Sequence, residues 1–237
     1  DAVILLSPVG IFGFIAKDVA TTGVDKLVGL GQFVVGMYLG YGVLALVIFP
    51  VIAILYKVNY VKLFKSIGDL VTLAFVSGGS SVVLPPLLKR LKKEGYDEAV
   101  TDFVVPLGYS FNLEGAAVYF ALATVFLANA YGITFTTQAL LFTVLLLSLI
   151  GKTAATIPSG AIVVLLAAAP QLGLPVEGVA LILSVDFFAN AGRTALNAVG
   201  QALAVAVLDS KKANVEKVEK PAKAENVTGK ELIANAG

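Results

Sequence analysis

The chain has 237 residues, of which 58% are apolar and only 14% carry a charge. A soluble domain has about 25% charged residues, so this composition indicates an integral membrane protein in a lipid bilayer. The net charge of +1 offers no basic surface, and no nucleic-acid partner is predicted. The absence of Cys and His excludes disulfides, Cys/His metal sites and histidine acid–base chemistry, and no enzyme activity is predicted.

The first half of the chain contains one short and one long apolar segment. Ala2–Ala16 is short for a span of about 20 residues, which indicates a truncated helix and a fragment of a longer protein. Val28–Tyr56 carries no charge and is the clearest transmembrane helix. Gly36, Gly40 and Gly42 are predicted to let a neighbouring helix approach closely.

The next apolar segment, Leu70–Leu84, is interrupted by small residues at positions 77–81 and followed by Pro85 and Pro86. Proline disfavours continuation of a helix, so we expect the half-helix to end before Pro85 and a separate helical run to follow at 87–93. Two short half-helices around a small-residue tip predict a re-entrant hairpin.

The second half of the chain repeats this alternation. Phe103–Ala130 could span the membrane, but a polar motif at 112–115 interrupts it. Ala139–Ala169 is again broken, which predicts a second re-entrant hairpin with its tip near 158–160. Val176–Leu208 is predicted as one long last helix, and from Asp209 the chain becomes a polar tail.

Basic residues cluster in three connections between the apolar segments. They are Lys57, Lys62 and Lys65, then Lys89, Arg90, Lys92 and Lys93, then Lys211 and Lys212. The positive-inside rule predicts that these connections are cytoplasmic and that the loops 129–138 and 170–178, which lack Lys and Arg, are outside. The two hairpins then enter the membrane from opposite sides, an inverted pair that is typical of transporter binding sites.

Five polar side chains follow one stripe of the last helix, with spacings of four, three, four and four residues. We call them the polar ladder: Asp186, Asn190, Arg193, Asn197 and Gln201. An unpaired charge inside a span costs at least about 2.5–3.5 kcal/mol, so these groups are expected to face a protein-lined pathway. A polar clamp between helices is the structural alternative.

The interrupted segments predict where ions bind. Unwound backbone around Glu114 would present carbonyl and carboxylate oxygens, which suit a small alkali cation, whereas a simple kink is the alternative. The half-helix N-termini at the two hairpin tips would direct N–H groups at an anion, and Arg193 would bind a carboxylate through two hydrogen bonds. A small anionic substrate is therefore predicted.

Three groups of residues, in this order, resemble the dicarboxylate/amino acid:cation symporter family. They are Ser80-Ser81…Leu84-Pro85, then Pro106-Leu107-Gly108-Tyr109-Ser110-Phe111-Asn112-Leu113-Glu114-Gly115, then Asp186…Gly192-Arg193-Thr194…Asn197. The resemblance extends from about Leu6 to Leu208 and is greatest to the bacterial C4-dicarboxylate branch. It implies an all-α, glutamate-transporter-like membrane fold and a homotrimer that works by an elevator mechanism.

The resemblance also implies a domain organisation and a site. Residues 1–27 would be a late scaffold helix and an outer loop, 28–208 the transport domain, and 209–237 a cytoplasmic tail of a multi-pass cell-membrane protein. The implied substrate residues are Ser80, Ser81, Pro158, Ser159, Gly160, Asn190, Arg193, Thr194 and Asn197. The implied Na⁺ ligands are Gly108, Asn112, Glu114, Asn197 and Gln201, with H⁺ as the alternative coupling ion.

Several residues depart from the family pattern. Asn190 stands where amino-acid transporters of the family place an aspartate for the substrate ammonium, and Gln201 stands where an aspartate completes a sodium site. Glu114 keeps the charge of a sodium-binding aspartate but is one methylene longer. Other replacements are Ala116 for a threonine, and Thr156 and Ser159 for glycines of the second hairpin.

Because Asn190 is neutral, a dicarboxylate such as succinate, fumarate or malate is the favoured substrate. The alternatives are an acidic amino acid taken up with sodium, or a non-transporting truncated or engineered membrane module. An anion channel is a weaker alternative.

Overall fold

The computed structural model describes Ala16, Ala20 and residues 25–111, 114–151 and 160–234, with side chains from Val28 to Lys212. All regular elements in these ranges are helical. They are α1 (Asp25–Val43), a π-helical segment (Leu44–Ile48), α2 (Phe49–Leu55), α3 (Tyr60–Ser77), α4 (Ser80–Lys93), α5 (Glu98–Phe111), α6 (Glu114–Tyr131), α7 (Thr137–Gly151), α8 (Gly160–Ala168), a 3-10 turn (Pro170–Leu172), α9 (Val176–Leu183) and α10 (Asp186–Ala234). The predicted segment Ala2–Ala16 lies outside the described residues except for Ala16.

Within the described residues, three helical stretches are long and apolar enough to cross a membrane. They are Val28–Leu55, Glu98–Tyr131 and Asp186–Lys212. The prediction of an all-helical membrane protein is thereby confirmed, and the long apolar segment predicted from Val28 is present as α1, the π-helical segment and α2.

The π-helical segment precedes Pro50, which has no N–H to donate to the preceding turn. The carbonyl of Ala45 instead accepts a hydrogen bond from the hydroxyl of Tyr60, at 2.7 Å. Tyr60 is the first residue of α3, so this contact fixes α3 against the irregular turn.

Glycines of α1 receive large side chains of α6. A Cβ on Gly40 would lie 2.7 Å from Val118, and one on Gly36 would lie 3.6 Å from Leu122. The predicted close approach therefore occurs at these two glycines. Gly42 was included in that prediction, but no neighbouring atom lies within 4 Å of its Cβ position.

Helices α3 and α4 form the first hairpin. Arg90 donates hydrogen bonds to Asp69 at 2.9 and 2.7 Å and also to the carbonyl of Ser66, so the two arms lie side by side. The arms are longer than predicted, because α4 continues through Pro85 and Pro86 instead of ending before them. Both prolines lie beyond the first turn, where each removes a helix hydrogen bond, and the packing of buried Val83, Leu87 and Leu91 compensates for this loss.

The other two predicted interruptions, around residues 112–113 and around 158–160, fall largely on residues that lie outside the described part of the chain. Helix α5 ends at Phe111 and α6 begins at Glu114, on either side of Asn112 and Leu113, which lie outside the described residues. Helices α7 and α8 pack against each other, but residues 152–159, which include Thr156, Pro158 and Ser159, also lie outside the described part of the chain.

The prediction of one helix over Val176–Leu208 was wrong in one respect. The helix is divided at Ser184 and Val185, and α10 begins at Asp186. The hydroxyl of Ser184 donates to the carbonyl of Leu181 at 2.7 Å, and the backbone N–H groups of Ser184 and Val185 also bond three residues back. This tighter turn re-starts the helix at the first residue of the polar ladder.

The basic connections meet at one end of the molecule. The carboxylate of Asp209 accepts from the N–H of Asp97 at 2.9 Å, and Lys212 donates to the carboxylate of Asp97 at 2.6 Å. Ser210 donates to the carbonyl of Tyr56 at 2.9 Å. The end of α2, the turn between α4 and α5, and the part of α10 around residue 210 are thus held together.

Candidate functional site

The polar ladder lies on the face of α10 that packs against other elements, and glycines make this packing possible. A Cβ on Gly115 would lie 2.7 Å from Cγ of Arg193 and 3.0 Å from Oδ1 of Asn197. A Cβ on Gly108 would lie 2.9 Å from Cγ of Gln201. The backbones of α5 and α6 therefore contact the ladder directly, with no intervening side chain.

The tip of the first hairpin also reaches the ladder through a glycine. Gly78 ends α3 with a φ of +57°, a left-handed conformation that favours glycine. Its carbonyl accepts a hydrogen bond from Nδ2 of Asn190 at 2.7 Å and one from Oγ1 of Thr194 at 3.3 Å. Ser80 and Ser81 follow as the first two residues of α4, at the positive end of its helix dipole.

Arg193 is the buried cation of the site, with 8% of its surface exposed. Its Nη2 donates to Oδ1 of Asn190 at 2.6 Å, and its guanidinium carbon lies 5.5 Å from the centre of the Tyr119 ring. Its Nη1 is buried and has no hydrogen-bond partner among the described residues. A buried donor on a cation is costly to leave unsatisfied, so this geometry favours an anion at Nη1.

Two tyrosines of α1 fix the first turn of α10. Tyr38 donates to the carbonyl of Phe188 at 3.0 Å, and Tyr41 donates to the carbonyl of Ala189 at 3.3 Å. The Tyr41 ring lies so close to Gly192 that a Cβ there would be 2.8 Å from the ring. These contacts set the rotation of α10 next to Arg193.

The oxygen-rich part of the ladder lies one to two turns further along α10. Asn197 and Gln201 are one turn apart on α10, Asn197 faces Gly115 and Gln201 faces Gly108. Glu114, the first residue of α6, is half-buried beside Gly115. Amide, carboxylate and backbone oxygens are the ligands that a hard alkali cation prefers, so the described residues fit such an ion. Asn112, the remaining predicted ligand, lies outside the described residues.

The structure thus brings together Gly108, Glu114, Asn190, Arg193, Thr194, Asn197 and Gln201, with Ser80 and Ser81 at the adjoining hairpin tip. Gly160 is the buried first residue of α8, while Pro158 and Ser159 lie outside the described residues.

Sequence reasoning missed the carbonyl of Gly78 and the rings of Tyr41 and Tyr119. No spacing rule points to them, because each is brought to α10 by a different element. A separate cavity of about 420 Å³, bordered by Gln32 and Asn129 between α1 and α6, contains no ladder residue.

Residues 1–211 match the model of the sodium:dicarboxylate symporter family. This match covers most of the chain, and that family consists of membrane transporters with a glutamate-transporter fold and not of enzymes.

Curated relatives carry two kinds of name. The chain is 35% identical to a proton/glutamate-aspartate symporter of Bacillus subtilis (strain 168), over 87% of this chain and 50% of that protein. It is 35% identical to a proton/sodium-glutamate symport protein of the same organism, over 96% of this chain and 52% of the relative. It is also 35% identical to a C4-dicarboxylate transport protein of Pseudomonas fluorescens (strain Pf0-1), over 88% of this chain and 47% of the relative. The chain spans about half the length of these relatives.

Proposed function

Because the chain belongs to the sodium:dicarboxylate symporter family, we propose that it forms the substrate- and cation-binding part of a symporter for small dicarboxylates. The observation that carries this proposal is Arg193, a buried guanidinium whose Nη1 has no partner among the described residues. A carboxylate at Nη1 would satisfy this donor and offset the buried charge.

The proposed substrate class follows from the neutrality of the neighbouring side chain. Asn190 contacts Arg193 without adding a negative charge, so this contact leaves the guanidinium charge available to a carboxylate. N–H groups of the first turn of α4, where Ser80 and Ser81 lie, would bind further carboxylate oxygens. A substrate with two carboxylates and no ammonium, of the succinate type, suits this arrangement.

An acidic amino acid is the second candidate, because relatives at the same level of identity are named glutamate or aspartate symporters. In that case Oδ1 of Asn190 would accept from the substrate ammonium in place of Arg193. The relative affinities for succinate and aspartate separate the two candidates: aspartate bound at least about tenfold more tightly would overturn the dicarboxylate assignment.

We propose that the coupling ion is sodium, held by oxygens of Gly108, Asn112, Glu114, Asn197 and Gln201, with a proton as the alternative. Sodium would then be a co-transported substrate. Its positive charge near Glu114 would offset the charge of an incoming dianion, which gives a physical reason for coupled binding.

The remaining proposals concern the whole assembly. We propose that residues 1–27 belong to a scaffold, that 28–208 form a transport domain, and that three copies assemble in the cell membrane and move substrate by an elevator mechanism. The positive-inside rule places the end with Lys57, Lys89 and Lys212 in the cytoplasm, together with the tail 209–237.

The test is calorimetric binding of succinate to the purified protein, first in sodium and then with choline in its place. We expect sodium-dependent binding that weakens at least about 100-fold in Arg193→Ala, because a charged hydrogen bond and its counter-charge are lost. Arg90→Ala, which removes a half-buried arginine that pairs with Asp69 away from the polar ladder, is the matched control and should bind within about twofold of the native chain. No binding to the folded native chain in either salt would favour the non-transporting module.

A further inference from the structure

A single carboxamide connects two parts of the candidate site. Nδ2 of Asn190 donates to the carbonyl of Gly78 at the tip of the first hairpin, at 2.7 Å. Oδ1 of the same side chain accepts from Nη2 of Arg193, at 2.6 Å. Both ends of the Asn190 amide are therefore occupied, one by the hairpin and one by the cation.

The carbonyl of Gly78 is saturated by this arrangement. It accepts a second hydrogen bond from Oγ1 of Thr194 at 3.3 Å, and a carbonyl oxygen has two lone pairs. Gly78 itself adopts a left-handed φ of +57° and leaves only 2.6 Å between its Cβ position and Nδ2 of Asn190. The tip conformation, the absence of a side chain and the Asn190 contact depend on one another.

We propose that Asn190 is a positioning residue that couples occupation of Arg193 to the order of the first hairpin's tip. Hydrogen bonds arranged in a chain polarise one another, so a carboxylate at Nη1 strengthens the link from Nη2 through the carboxamide to Gly78. The coupling rests on the proposed anion binding at Arg193, whereas the link from Asn190 to Gly78 does not.

Only an amide can make both contacts at this position. An aspartate of the same shape could still accept from Arg193, but it has no N–H for Gly78 and would place a negative oxygen against that carbonyl. Asn190→Asp therefore loses the hydrogen bond to Gly78 and keeps the one from Arg193. Asn190→Ala loses both hydrogen bonds, and Thr194→Val removes only the second donor to Gly78.

The test is amide hydrogen exchange of the hairpin tip, residues 76–84, measured on the native chain and on each variant. Without ligand, we expect exchange about three- to tenfold faster in Asn190→Asp and Asn190→Ala, since each loses a buried hydrogen bond. Thr194→Val should give a smaller increase. Asn129→Asp, the same chemical change at an exposed position of α6, is the matched control and should leave tip exchange unchanged.

Addition of succinate in sodium then tests the coupling. The native tip should become further protected, and this gain should shrink at least about threefold in Asn190→Asp even at saturating succinate. Ser80 and Ser81 are unchanged in Asn190→Asp, so a smaller gain of protection in this variant reports on Asn190.

Three outcomes overturn the inference. Equal tip exchange in the native chain and Asn190→Asp without ligand would show that Asn190 does not stabilise the hairpin tip. Equal protection of both proteins by succinate would show that Asn190 does not couple the tip to Arg193. The absence of any added protection in a native chain that binds succinate would show the same. Failure of the native chain to bind succinate would instead overturn the proposed function and the coupling together, while the ligand-free comparison would still decide the link.

Discussion

The helical stretches Val28–Leu55 and Asp186–Lys212 have nearly the same length, 28 and 27 residues, but their side chains have opposite surroundings. Within the most apolar 18 residues of each stretch, 17% of the residues are buried in the first and 78% in the second. The first is the more apolar of the two and exposes large side chains such as Leu39, Leu46 and Ile54. The second carries the polar ladder and lies in the interior.

This difference reverses the rule for soluble proteins, in which the most apolar helix is the most buried. Lipid is as apolar as a leucine side chain, so burying Leu39 gains little, whereas burying Arg193 in protein avoids a costly exposure to hydrocarbon. The interior position of α10 is therefore set by its polar residues. Four changes test this comparison.

The largest expected effect is on membrane insertion of the outer stretch. Leu39→Asp should raise the apparent free energy of insertion by about 3–4 kcal/mol, because it places a charge on a lipid-facing surface near the centre of a span. Insertion can be measured with a glycosylation reporter on each side. Leu39→Phe is the control and should insert normally. Normal insertion of Leu39→Asp would mean that this face is covered by protein or water.

The second effect contrasts two glycines. Gly115→Ala should destabilise the folded protein by about 1–3 kcal/mol and weaken anion binding, because its Cβ would overlap Arg193 and Asn197. Gly42→Ala on α1 meets no atom within 4 Å and should be neutral or slightly stabilising. Thermal unfolding in detergent measures both. Equal stability of the two variants would show that α6 does not pack directly on the ladder.

A third, smaller effect concerns the irregular turn of the outer stretch. Tyr60→Phe removes the hydrogen bond to the Ala45 carbonyl, and we expect a loss of about 1 kcal/mol with faster amide exchange around residues 44–50. Tyr56→Phe, whose ring contacts Lys211 but whose hydroxyl makes no hydrogen bond among the described residues, should have little effect. Unchanged exchange in Tyr60→Phe would show that the π-helical segment does not depend on this contact.

The smallest effect is pH-dependent and lies at the basic end. The Lys212 ammonium donates a hydrogen bond to Asp97 and holds the pKa of that carboxyl below its usual range. A lowered native pKa gives stability that is present above the unfolded value of about 3.9 and is lost as pH falls through the native value. The difference in unfolding free energy between the native chain and Lys212→Met should therefore be constant above about pH 5 and become smaller below about pH 4. Urea unfolding from pH 3 to 7 measures this difference, and Lys211→Met is the control.

Periodicity predicted the polar ladder because spacings of three and four residues repeat on one helical face whatever the rest of the chain does. The break at Ser184 was not predicted, since a serine inside an apolar run can bond back to its own helix or face a neighbour. Pro85 and Pro86 were expected to end a helix, but packing of Val83, Leu87 and Leu91 outweighs the missing N–H groups. Local rules fail where tertiary contacts compensate for a local cost.

Composition and hydropathy alone determined that this chain is a helical membrane protein, because a continuous apolar run of about 20 residues spans hydrocarbon as a helix that bonds all its own backbone groups. The family motifs further predicted which residues belong to the site. Only the tertiary structure decided which elements meet there, since the contacts of Asn190 with Gly78, of Arg193 with Tyr119 and of Gln201 with Gly108 join residues far apart in the chain. Such contacts depend on the close approach of backbones at glycines, and a glycine in a sequence does not reveal which neighbour will approach it.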